Sequence, residues 1–161
     1  MPRLVLRITP PSEVRPEGVT PPFLELVRKY CNNKSLTVGA QSGSEERLLA
    51  IGRGHGVEEI RRAARWAREY GFTSHLDFIF GFPVERGKGR RETVVLVEEL
   101  VSLYGAKIHA HYFMPLPGTP YAGASQEPLH RWLMKRLVEL SRLGMLDGSW
   151  QEQAKEVGAW D

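Results

Sequence analysis

Apolar positions along this chain fall into short continuous runs that alternate with longer stretches of helical spacing. Leu4-Val5-Leu6-Arg7-Ile8 is a β-rich run closed by Thr9-Pro10-Pro11, which predicts a strand and then a loop. Thr20-Pro21-Pro22 offers an N-cap followed by proline in the first helical turn. Phe23, Leu26, Val27 and Tyr30 then carry a helical stripe up to Asn32-Asn33. Leu36 to Ala40 predicts a second strand. Ser44 is placed to cap a short helix from Glu45 to Ile51, whose first turn holds two acids. Val57, Ile60, Ala64 and Ala67 share one helix face that ends at Gly71. His75 to Phe80 predicts a third strand, closed by Gly81-Phe82-Pro83. A helix from Thr93 to Tyr104 follows, then a fourth strand from Lys107 to Met114, and a last helix marked by Leu129, Leu133, Leu137 and Leu140.

Strand and helix in alternation imply a parallel sheet with helical crossovers. In such α/β folds ligands sit at the carboxyl ends of the strands. The unusual polar residues gather at that end: Gln41-Ser42-Gly43-Ser44, Asp77 inside its strand, Gly81-Phe82-Pro83, and His109-Ala110-His111.

Length and composition narrow the class. The 161 residues are 42% hydrophobic and 25% charged, which suits one globular domain. Residues 1–146 read as that domain and 147–161 as a polar tail with two tryptophans. No apolar run approaches the roughly 18 residues of a membrane span, and Met1-Pro2-Arg3 leads straight into a strand without signal-peptide character. A cytoplasmic location and no membrane partner are expected. A net charge of +3 and a pI near 9.2 are mildly basic, well short of a protein that coats nucleic acid. The densest basic cluster, Arg86-Gly87-Lys88-Gly89-Arg90-Arg91, reads first as a solvated loop before a helix and second as a phosphate-contacting patch. The single cysteine, Cys31, can neither form an internal disulfide nor hold an iron–sulfur cluster by itself.

Several residues ask for a chemical reason. Gln41 is a bulky amide at the end of an apolar strand and needs partners if buried. Arg53 either meets helix-terminal carbonyls or clamps an anion in bidentate geometry. Asp77 lies among Leu76, Phe78, Ile79 and Phe80, where a carboxylate requires a hydrogen-bonding partner and a ligand hydroxyl is one candidate. His109 and His111 share a strand face, but no third ligand accompanies them, so a metal is not favoured. No P-loop, nucleophile elbow or dinucleotide fingerprint is present.

Taken together, Val38-Gly39-Ala40-Gln41-Ser42-Gly43-Ser44, Arg53-Gly54-His55, Asp77-Phe78-Ile79-Phe80-Gly81-Phe82-Pro83 and Tyr112-Phe113-Met114-Pro115-Leu116-Pro117-Gly118-Thr119-Pro120 resemble the second half of a radical S-adenosylmethionine (SAM) barrel. The likeness covers roughly residues 3 to 122 and is nearest the cobalamin-binding-domain type. Methylthiotransferases and coproporphyrinogen-oxidase-like proteins are its relatives. It implies an α/β fold, the C-terminal half of a partial (β/α)6 TIM-like barrel, with about four parallel strands as the third to sixth. It further implies that Gln41, Ser42, Ser44, Arg53, Asp77, Gly81, Phe113 and Met114 contact SAM, with Arg53 on the methionyl carboxylate. His109, His111 and Tyr112 would face the substrate.

The family's CxxxCxxC loop, which ligates three irons of a [4Fe–4S] cluster, has no counterpart among these residues. After Phe82-Pro83 the family usually has Gly-Glu, whereas Val84-Glu85 and a basic insertion stand here. The resemblance therefore implies no catalytic residue and no metal ligand in this chain. A cluster or cobalamin would enter only through an N-terminal portion. The expected function is that of a C-terminal fragment or subunit, inactive alone, that completes a SAM and substrate pocket. Its partner would be the N-terminal half, or a second copy joined through the open edge Leu4–Ile8. A non-catalytic SAM- or nucleotide-binding module is the first alternative, and an RNA-binding protein using Arg86–Arg91 ranks last.

Overall fold

A computed structural model describes residues 13–85 and 87–156. Four strands, β1 (Ser35–Gln41), β2 (Thr73–Phe80), β3 (Lys107–Tyr112) and β4 (Leu146–Asp147), form one sheet in chain order. Every neighbouring pair is parallel.

Strand alternation gives the sheet two different faces. Leu36, Val38 and Ala40 of β1, Leu76, Phe78 and Phe80 of β2, and Ile108, Ala110 and Tyr112 of β3 are each at most 2% exposed. They join one core with Ala63, Ala64 and Ala67 of α3 (Val57–Glu69) and with Leu96, Val97 and Leu100 of α4 (Gly87–Tyr104). The alternate residues Thr37, His75, Ile79, His109 and His111 are only half-buried. One face is thus dry and helix-covered, and the other is polar and accessible.

Local signals explain the connecting elements. Thr20 caps α1 (Pro21–Tyr30), its hydroxyl accepting from Phe23 N at 3.4 Å. α2 (Glu45–Ala50) follows β1 directly, and α5 (Arg131–Arg142) precedes β4. No helix among the described residues is long and apolar enough to cross a membrane.

The strand expected at Leu4–Ile8 lies outside the described residues. At the outer side of β1 the neighbour is Val14, whose N–H donates to Thr37 O at 2.9 Å while its carbonyl accepts from Gly39 N at 3.0 Å. The structure differs from the sequence expectation in three places. α4 begins at Gly87, so Lys88-Gly89-Arg90-Arg91 is helix rather than loop. Buried Gly89 permits this by packing directly on Ser44, where an added Cβ would stand 3.2 Å from the hydroxyl. β3 ends at Tyr112 rather than Met114, because Phe113 N turns to donate to Phe80 O at 2.7 Å and Pro115 follows two residues later. The division at 146/147 falls inside β4. Residues beyond it pack on the sheet through α6 (Trp150–Glu156), with Trp150 and Ala154 buried. β4 is only two residues long, so Tyr112 N finds its acceptor in the Gln153 side chain at 2.8 Å.

Candidate functional site

The carboxyl end of β1 carries the densest polar cluster. The register with β2 shifts between Gly39 and Gln41, and Gln41 adopts φ +69°. A bulge of this kind re-aims a side chain at a strand end. The Gln41 side chain, 5% exposed, donates through Nε2 to both carboxylate oxygens of Glu13, at 3.1 and 3.2 Å. Arg53 Nη2 donates to the same carboxylate at 3.0 Å. Gly39 is what lets Glu13 reach across, because a Cβ there would lie 2.4 Å from its carboxylate.

Arg53 is held on the strand end by the turn that follows it. The His55 ring is fully buried, with Nε2 3.3 Å from Ala40 O and Nδ1 3.3 Å from Glu17 Oε2. Gly56 is the N-cap of α3, and its N–H donates to the Glu59 carboxylate at 2.8 Å. That bond holds Glu59 below its ordinary carboxylate range. Val57 N donates to Glu45 Oε1 at 2.7 Å, tying α3 back to α2.

The polar face of the sheet adds a second group. Asp77, 8% exposed, sits in register with Gly39 on one side and His109 on the other. Its carboxylate is 3.8 Å from His111 Nε2. His109 Nδ1 lies 2.5 Å from Asp147 Oδ1, and the two histidine rings meet edge to face at 4.9 Å. Two histidine–carboxylate pairs therefore stand side by side. Among the described residues, no group of three or more His, Cys, Asp or Glu side chains is arranged to hold a metal ion.

Other expected site residues are placed differently. The Ser42 hydroxyl lies 3.3 Å from Thr93 Oγ1 and accepts from Ser44 N at 3.2 Å, while Gly43 N donates to Thr93 Oγ1 at 3.0 Å. This buried network fastens the strand-to-helix turn onto α4, so Ser42 and Ser44 face α4 rather than the Glu13 cluster. Tyr112, expected beside His109 and His111, is 2% exposed and lies on the opposite, apolar face by strand alternation. Its hydroxyl donates to Glu127 O at 2.5 Å. Its ring covers Gly81, where an added Cβ would lie 2.4 Å away and φ is +80°, so that glycine serves packing. Phe113 is buried between Phe82 and Tyr121 at ring separations of 5.4 and 5.9 Å, and its carbonyl accepts from Gln126 Nε2 at 2.9 Å. Met114 is exposed.

Two residues that pattern reading passed over belong to the cluster. Glu13 has no spacing signal, since it acts across 28 residues on Gln41. Asp147 falls in a short polar run whose pairing with β3 covers two residues. In the loop after β2, Val84 adopts φ +60° and is exposed. Glu85 beside it is buried, and burial pushes its carboxyl up to about 7 against the opposing pull of Arg47 and Arg90.

The profile of the radical SAM superfamily matches residues 7–97, more than half of the chain. The chain belongs to the radical SAM superfamily. Among its superfamily relatives, the mouse threonylcarbamoyladenosine tRNA methylthiotransferase is 34% identical over 148 residues, which cover 81% of this chain and 25% of that protein. Of solved structures, coproporphyrinogen III oxidase from Escherichia coli, a radical SAM enzyme, superposes with a TM-score of 0.63 at 22% identity, covering 81% of this chain and 31% of that one. The archaeal Methanocaldococcus infernus Elp3 superposes at 0.58 with 18% identity, covering 91% of this chain and 30% of that chain. The chain thus spans a quarter to a third of the length of these proteins. The structural matches establish the shared radical SAM fold: parallel strands with flanking helices.

The residues present fit one of the superfamily's two groups. A cation and a carboxylate 3.0 Å apart at a strand mouth suit the zwitterionic end of SAM. The cluster does not fit these residues, because the sequence holds one cysteine, half-buried Cys31 at the end of α1.

Proposed function

We propose that this chain forms one wall of a SAM and substrate pocket. The Glu13–Gln41–Arg53 cluster is the observation that carries this reading. Arg53 offers a guanidinium for the methionyl carboxylate, and the free faces of Glu13 suit the adjacent ammonium. Gln41 is fixed by its bulge and by Glu13, so its remaining amide capacity is pre-oriented. Asp77, on the polar face beside Gly39, accepts from ribose hydroxyls. His109 and His111 stand one strand further along, on the substrate side. Gly81, Phe113 and Met114 form the rim at the ends of β2 and β3, with Phe82 and Phe113 as its apolar part.

In a complete radical SAM site the [4Fe–4S] cluster supplies the electron that cleaves SAM. With one thiol the chain does not ligate such a cluster, so the ligands come from an N-terminal portion or a partner chain, and cobalamin would enter the same way. The chain acts as a fragment or subunit that is inactive alone, in a cytoplasmic setting.

Calorimetry with SAM, paired with anaerobic iron–sulfide reconstitution, tests both halves of this reading. Reconstitution is expected to give no cluster absorbance, and a stoichiometric cluster overturns the subunit role. SAM binding that falls in Arg53→Met supports the pocket. Binding unaffected by Arg53→Met and Glu13→Gln removes it.

A further inference from the structure

A cavity of about 200 Å³ lies between α2, the loop after β2 and the first turn of α4, lined by Ser44, Glu46, Arg47, Val84, Glu85 and Gly89. Neither Gln41, Arg53 nor Asp77 borders it. One buried polar atom on its wall, Arg47 Nε, has no hydrogen-bond partner among the described residues, and Glu85 and Ser44 share that wall. Glu85 is 7% exposed, and Arg90 Nε stands 3.9 Å from its carboxylate, beyond hydrogen-bond reach. The Arg47 guanidinium lies over the Phe82 ring at 5.4 Å. Ser44 is 3% exposed, and its hydroxyl makes no capping bond to α2. Folded proteins rarely leave a buried polar atom unpaired, so the Arg47 exception calls for an explanation.

The arrangement specifies what would satisfy it. Arg47 and Arg90 pull on Glu85 without overcoming its burial, so a ligand that donates hydrogen bonds to this carboxyl group would complete the site. A carboxylate beside a guanidinium complements a neutral edge that presents N–H donors next to a carbonyl oxygen. Guanine has that edge: N1–H and the N2 amino group donate to a carboxylate, and O6 accepts from arginine. The volume exceeds the roughly 150 Å³ that takes a benzene ring, enough for a base and too little for a whole nucleotide. The sugar and phosphate would lie outside, past Gly89. There the first turn of α4 carries no acidic residue, and the Lys88 side chain is 83% exposed. Free amides at a helix start favour a phosphate, and Gly89 adds no side chain to block the way.

We propose that this cavity is a second site, separate from the SAM wall, that binds a guanine nucleotide, either free or as one residue of an RNA strand. Calorimetry on this chain with guanosine, adenosine and cytidine 5′-monophosphates, with inorganic phosphate, and with a short guanine-containing single-stranded RNA tests it. Guanosine monophosphate is expected to bind at least tenfold more tightly than the other two nucleotides. Arg47→Met and Glu85→Gln are each expected to weaken it by roughly tenfold. Lys88→Gln, on an exposed side chain, weakens it less, and Arg53→Met leaves it unchanged. Tighter binding of the RNA than of the monophosphate assigns the site to RNA, and equal binding assigns it to free nucleotide. Three results overturn the proposal: inorganic phosphate binding as well as the nucleotide, binding lost in Arg53→Met but kept in Arg47→Met, or no binding at millimolar guanosine monophosphate. Urea midpoints of each variant identify any that fails to fold, and Lys88→Gln together with the nucleotide comparison decides the matter if both buried variants do.

Discussion

The Gln41 amide and the Glu13 carboxylate are joined by two hydrogen bonds, at 3.1 and 3.2 Å, although 28 residues separate them. Glu13 lies beside Val14, which pairs with β1, so one short segment both extends the sheet and closes the strand mouth. Glu13→Ala leaves the Gln41 amide without its acceptor and releases Arg53. A loss of about 1–3 kcal/mol is expected, read as a lower urea midpoint, together with weaker SAM binding by calorimetry.

Val84 holds a left-handed conformation at φ +60°. A β-branched residue there is strained. Being 80% exposed, it has little burial to lose. Val84→Gly is expected to stabilise the protein by about 1 kcal/mol, the strain relieved exceeding the added flexibility of the unfolded chain. A urea midpoint that falls instead would show that the loop is not strained.

The raised carboxyl of Glu85 sets a direction for pH dependence. Burial lifts it from 4.5 to about 7, so the folded state holds this proton more tightly than the unfolded state. The associated stability is fully present below about 4.5 and is lost as pH rises through about 7. Glu85→Gln removes that decline. The variant is expected to exceed the parent at pH 8 by on the order of 3 kcal/mol and to match it more closely at pH 4.5, measured as paired urea midpoints.

Gly81→Ala places a methyl 2.4 Å from the Tyr112 ring at φ +80°. Backbone strain and overpacking together predict a loss of about 2–4 kcal/mol. A double-mutant cycle with Tyr112→Ala separates the two, since removing the ring relieves the clash and leaves only the backbone cost.

Which parts of this architecture could be read from sequence follows from how local each cause is. β1 and β2 announce themselves through the apolar stretches that start at Leu36 and Leu76, and β3 through the alternation of Ile108, Ala110 and Tyr112 with His109 and His111. β4 could not, as a two-residue strand has no periodicity. Trp150 and Ala154 did offer a helical i, i+4 pair within the tail. Strand alternation also separates Tyr112 from His111 without any structure, since adjacent strand residues point to opposite faces. Gln41 and Arg53 were recognisable as polar residues out of place. The residue that unites them was not, because Glu13 follows two prolines and a serine with nothing periodic around it.

Among the described residues, the strands follow one another across the sheet in chain order. Each new strand–helix unit can therefore dock on an edge completed moments earlier, with no gap held open for a later segment. During synthesis at about 5–20 residues per second, the sheet would grow outward from β1 as the polypeptide emerges. β3 would then stay unshielded on its outer side until Asp147 and Gln153 have left the ribosome.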